Sequence, residues 1–109
     1  MQPKDLSIQS GLSEETIHKI TDVFLEQPNI TKAILYGSRA KGNFRNGSDI
    51  DLVLIGDKLI YNDLTKVVMR LDDLFLPYTF DISLFNQIDN PDLIDHISRV
   101  GLVFYPNNI

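Results

Sequence analysis

The residues with chemistry to offer crowd into one stretch, ILYGSRAKGNFRNGSDIDLVL, residues 34–54, which holds Gly37, Ser38, Arg39, Lys41, Asp49 and Asp51. Its second half alternates: Asp49, Asp51 and Val53 interleave with Ile50, Leu52 and Leu54. Along a strand such alternation puts Asp49 and Asp51 on one face, with Cα atoms about 6.5 to 7 Å apart. Slipping the register by one residue would bury both charges, so the pattern also fixes the pairing. Two carboxylates on one face make a site for a hard divalent ion such as Mg2+, which keeps several waters and completes its shell with substrate phosphates. The acids therefore imply a phosphorylated ligand. Gly37 and Ser38 supply the complement, ending an apolar run over 33–36 that reads as a strand. A glycine there lets the backbone come close to a ligand, and free N–H groups at the start of a short helix favour an anion. Arg39, Lys41 and Arg45 add local positive charge that suits one triphosphate better than a long polymer.

The elements that must hold these residues are legible around them. Residues 6–11 have no clear periodicity and read as an arm or loop. Ser13 is a good N-cap for a first helix, with Glu14 and Glu15 in the first turn and Leu12 spaced to staple against Ile17. Ile17, Ile20, Val23 and Phe24 give that helix its buried stripe, and Pro28-Asn29 ends it. After the acidic strand, 49–55, Gly56-Asp57 breaks the pattern. Leu64, Val67, Val68, Leu71 and Phe75 then predict an amphipathic helix over 62–75. A third strand, 78–84, puts Phe80, Ile82 and Leu84 on one face and Asp81 with Ser83 on the other. An acid in the middle of an apolar strand needs a reason. Asp72 and Asp73, on the helix before it, read as a solvated acidic face. Asn90 and Pro91 open a last helix carrying Leu93, Ile94 and Ile97, Gly101 ends it, and 102–105 reads as a final strand. His18 reads as a surface residue; His96 reads as a structural or surface one, the commoner case, with a place near a binding edge as the alternative. The order helix, strand, short helix, strand, helix, strand, helix, strand predicts an α/β domain with a mixed sheet, helices mainly on one face and the acids on the other.

Gly37-Ser38 followed after ten residues by Asp49-Ile50-Asp51 resembles the signature of the polymerase-beta-like nucleotidyltransferase superfamily. GSRAKG with SDIDL is similar to its minimal single-domain branch, the MNT domains, which are typically encoded beside a helical HEPN-domain partner and in several pairs act as antitoxin to its toxin. The resemblance implies the nucleotidyltransferase fold over 1–109 and a third carboxylate from the strand that carries Asp81. It also implies transfer of a nucleoside monophosphate, AMP from ATP, to an acceptor hydroxyl. Asp49 and Asp51 would bridge two Mg2+ ions (Mn2+ in their place), and Asp81 would bind the second and take the acceptor's proton. Gly37 and Ser38 would hold the β and γ phosphates, with Arg39 or Lys41 offsetting their charge. A HEPN-domain toxin is implied as partner and acceptor, modified on a side-chain hydroxyl such as tyrosine. Two rival readings are an antitoxin that works by occlusion alone and an enzyme that nucleotidylates a small molecule of the aminoglycoside kind. Larger relatives carry a second domain over the nucleotide, for which this chain is too short.

Bulk properties narrow the setting. A chain of 109 residues with 43% hydrophobic content is one ordinary domain, large enough to bury about 65% of its unfolded surface without staples. It has no cysteine, which excludes disulfides and thiolate metal sites and fits a reducing cytoplasm. The polar start, MQPKDLSIQSG, lacks the apolar core of a secretory signal, and no run approaches a membrane span. The net charge of -5 argues against nucleic acid as the main substrate, because a backbone binder needs a basic face to displace counterions.

Overall fold

The computed structural model describes residues 5–107, so residues 1–4 of the polar N-terminal stretch, and 108–109, lie outside the described residues. The chain runs α1 (Leu6–Ser10), α2 (Glu14–Leu25), β1 (Lys32–Tyr36), α3 (Gly37–Lys41), β2 (Ile50–Ile55), α4 (Tyr61–Asp72), β3 (Phe80–Leu84), one 3-10 turn (Phe85–Gln87), α5 (Pro91–Val100) and β4 (Leu102–Tyr105).

Caps decide where the helices begin. The Ser13 hydroxyl accepts the Thr16 N–H at 3.1 Å and starts α2 as expected. The Asn90 side chain accepts from Asp92 and Leu93, and Pro91 fills the first position of α5, where no donor is needed. The Asp63 carboxylate reaches back to the Ile60 N–H at 3.1 Å to start α4. A cap also explains a helix that the sequence reading missed. Residues 6–11 are a helical turn, because Asp5 accepts the Ile8 N–H at 3.2 Å and Gly11 closes the turn in the left-handed conformation. Five residues are too few for periodicity to register, but Leu6 and Ser10, four apart, are both buried.

Other boundaries move inward. The helix expected over 62–75 ends at Asp72, and Phe75 takes a left-handed φ of 53° in the turn that follows. The strand expected over 78–84 starts at Phe80, after Tyr78 has turned aside to cover Arg39. Asp49 precedes β2 by one residue instead of opening it.

The sheet order is β3-β2-β1-β4, with β1 antiparallel to both of its neighbours and β2 parallel to β3 through the α4 crossover. Ala33, Leu35, Ile50, Leu52, Leu54, Leu84 and Phe104 face the main core, where Ile17, Ile20 and Phe24 of α2 and Val67 and Leu71 of α4 meet them. The Phe24 ring stands edge-on to Phe104 and Tyr105, with centroids 6.3 and 5.7 Å away. The mixed sheet with helices mainly on one face is as expected, with one exception. On the opposite face Ile97 of α5 packs against Tyr36 and Val53, flanked by Ile34, Leu93 and Val100. The acids thus share their side of the sheet with α5. None of the described helices is long and apolar enough to cross a membrane.

Candidate active site

Sheet register brings the chemistry together. Asp51 stands opposite Tyr36 on β1 and opposite Asp81 on β3, so Asp81, Asp51 and Tyr36 form a row across three strands. Adjacent strands lie about 4.8 Å apart, which makes the two carboxylates neighbours. Burial, and then the charges of Asp81 and Asp49, hold the Asp51 carboxyl above its usual range. The Tyr36 hydroxyl is likewise raised, first by burial and then by Asp81 and Asp51, against a hydrogen bond with the Ser83 side chain. Asp49 and Asp81 are exposed and Asp51 is half-buried, so the acids form an open edge of the domain.

Gly37 lies against the same carboxylate. Its φ is 75°, and a Cβ there would collide with the Asp51 Oδ2, so only glycine lets β1 turn into α3 at this point. Ser38 sits half-buried in the first turn of α3. Lys41, at its end, is exposed.

Arg39 does something other than what its position in the sequence implies. It is 2% exposed, its Nε donates to the Ser48 carbonyl at 3.1 Å, and its Nη1 donates to the Ser10 carbonyl at 2.8 Å. The guanidinium lies between the Phe44 and Tyr78 rings, 5.1 and 5.0 Å from their centroids. Its charge is committed to tying α1, α3 and the loop before Asp49 into one unit. Of the two cations expected to offset phosphate charge, Lys41 is the one left in solvent.

His96 is the residue that sequence reasoning passed over. Its Nε2 accepts the Gly37 N–H at 3.2 Å, and its ring stands edge-on to Tyr36 at 6.1 Å and 83°. The available signal was weak: His96 flanks the buried α5 stripe of Leu93, Ile97 and Val100, and nothing in the helix itself says what that flank faces.

Among the described residues no three Asp, Glu or His side chains are drawn into one ready-made cation shell. Asp49, Asp51 and Asp81 nevertheless fit a hard cation by donor type: all are oxygen ligands, and the repulsion from Asp81 and Asp49 that adds to burial in raising Asp51 is what a bound Mg2+ would relieve.

Residues 18–109 match the family described as Polymerase beta, Nucleotidyltransferase, a span that includes the turn at Gly37 and all three acids. The chain belongs to that family. This nucleotidyltransferase is 29% identical over 79 residues to "Putative protein adenylyltransferase MJ0604" of Methanocaldococcus jannaschii, covering 70% of this chain and 79% of the relative. Its fold is similar to that of a chain in a toxin-antitoxin structure with AMP-PNP, at TM-score 0.68 and 18% identity, over 84% of this chain and 74% of that one. It is similar too to a chain in the structure of a tri-AMPylated Shewanella oneidensis HEPN toxin in complex with MNT antitoxin, at TM-score 0.58 and 15% identity, over 86% and 72%. The nucleotidyltransferase fold expected from the GSRAKG and SDIDL segments is the one observed.

Proposed function

We propose that this nucleotidyltransferase transfers AMP from ATP to a side-chain hydroxyl of a HEPN-domain toxin, and acts as its antitoxin by doing so. The observation that carries the proposal is the row of Asp81 and Asp51 in register, with Asp49 beside them and the Gly37 turn against the Asp51 carboxylate. The relative named as a protein adenylyltransferase supports protein as the acceptor class, and the AMPylated toxin seen with an MNT antitoxin supports the partner. The absence of cysteine agrees with a cytoplasmic setting.

In the reaction the acceptor oxygen attacks the α-phosphorus of ATP, a new P–O bond forms, and the bond to the β-phosphate oxygen breaks to release pyrophosphate. Asp49, Asp51 and Asp81 would hold two Mg2+ ions, which when bound supply positive charge to the triphosphate and lower the acceptor hydroxyl's pKa. The Gly37 and Ser38 N–H groups donate to the β and γ phosphates, and Lys41 offsets their charge. Asp81, exposed at the sheet edge where an acceptor can approach, takes the hydroxyl proton. Arg39 keeps the Ser48 carbonyl, and with it the start of the Asp49 segment, in place.

The experiment is the double variant Asp49→Asn, Asp51→Asn, which keeps side-chain shape and removes both charges. Transfer of labelled AMP to the toxin should collapse while the complex still forms. An undiminished mass increase on the toxin would sink the proposal. Neutralisation that survives without transfer would favour an antitoxin working by occlusion.

A further inference from the structure

We infer that His96 is a latch on the nucleotide site, holding in the free protein the Gly37 N–H that a phosphate oxygen takes when ATP binds. The inference rests on the phosphate-binding role proposed above for Gly37, and deepens it by naming the group that competes for the donor.

The bond is tertiary, joining residues 59 positions apart, and Nε2 is its acceptor. An imidazole nitrogen that accepts must be unprotonated, so the ring's one proton is on Nδ1. The Gly37 N–H is thus occupied by a neutral side chain. A triphosphate oxygen is charged and makes a stronger hydrogen bond with the same donor, so it wins the exchange, but net of what His96 already supplied.

Two features let the latch open without unfolding α5. The helix is anchored by Ile97, 7% exposed, together with Leu93 and Val100, and His96 lies beside that stripe. His96 itself is half-buried, and it is held at this point by the Gly37 bond and the edge-on Tyr36 ring. A change of side-chain rotamer can therefore release Gly37 while the backbone of α5 stays on the sheet. Tyr36 belongs to the row that contains Asp51 and Asp81, so the latch sits at the end of that row.

Three substitutions separate a latch from a structural prop. His96→Phe keeps a ring against Tyr36 and has no acceptor, His96→Ala removes both, and His96→Gln places a carbonyl oxygen near the position of Nε2. We expect the Phe and Ala variants of the full chain to bind ATP with Mg2+ about three- to ten-fold more tightly than wild type, the ratio that the net worth of one hydrogen bond gives. The Gln variant should restore wild-type affinity. Calorimetric titration reads all three. Equal or weaker binding by the Phe variant, with wild type binding ATP normally, overturns the latch and leaves the proposed function standing. Failure of wild type itself to bind ATP overturns both. If the Ala variant does not fold, the Phe and Gln pair still decides.

Discussion

Asp51→Asn should make the free protein more stable while removing its function. Asp51 and Asp81 face each other across parallel strands, and two unit charges about 5 Å apart interact by about 1 kcal/mol once screening at an open sheet edge is allowed for. Asparagine keeps the shape and loses that repulsion, so stability should rise by about 1 kcal/mol, or about 4 °C in melting temperature for a domain of this size. The gain should also depend on pH in a definite sense. Burial and like charge raise the Asp51 carboxyl, so the folded protein holds this proton more tightly than the unfolded chain does. Stability is then lost as pH rises from the ordinary carboxylate value of 3.8 through the raised one, and regained on acidification. The difference between variant and wild type should be largest near pH 7 and shrink toward pH 4. Thermal melts of both proteins across that range, in EDTA, make the measurement. A second series with Mg2+ and ATP should stabilise wild type and leave the variant unmoved. A melting temperature for Asp51→Asn at or below wild type at pH 7, or a gain that does not diminish on acidification, would refute the electrostatic account of the row.

Asp81→Asn should leave ATP affinity within about three-fold of wild type and slow AMP transfer by about 100-fold or more, as loss of a general base does. Asp72→Asn and Asp73→Asn, assayed beside it, should behave as wild type, since Asp73 makes no more than a 3.7 Å surface pair with Arg70. Arg39→Met should lower stability by about 2 to 4 kcal/mol, because the buried Ser10 carbonyl and the part-buried Ser48 carbonyl lose their charged donor; Arg39→Lys should not rescue it, having no planar fork to span Ser10 and Ser48. Denaturant melts of the two Arg39 variants check this, and a wild-type midpoint for Arg39→Lys would mean that the two hydrogen bonds carry little.

How much of this the sequence could tell depended on the range of the interaction. The acidic strand, the α2 cap at Ser13 and the Asn90-Pro91 start of α5 rest on contacts within a few residues, and each forms as read, save that Asp49 stands one residue before β2. The Asp51 and Asp81 pairing was reached through the alternation of two separate strands and a family likeness; their being neighbours in parallel register needed the fold. Arg39 misled for a physical reason. Its neighbours in sequence are a glycine turn and a lysine, which suggest an anion site, but its partners are Ser10, Phe44 and Tyr78, brought in from α1, the loop and the approach to β3. The partner of His96 was hidden for the same cause, since it is 59 residues away. Short elements such as α1 were lost because one turn holds too few residues for a stripe.

The position of β3 sets a limit that the two central strands do not share. It has β2 as its one neighbour in the sheet, and Phe80 and Ile82 on it are half-buried, whereas β2 is sealed by strands on both sides. An outermost strand detaches in local openings that cost less than global unfolding. Asp81 rides on that strand, while Asp51 and the Gly37 turn, proposed above to hold phosphate, belong to the centre. Warming should therefore separate the two halves of the proposed site in order: nucleotide should still be held after Asp81, the acid assigned to the acceptor, has begun to stray, and catalytic competence should fade while the spectroscopic signature of the folded domain is still intact.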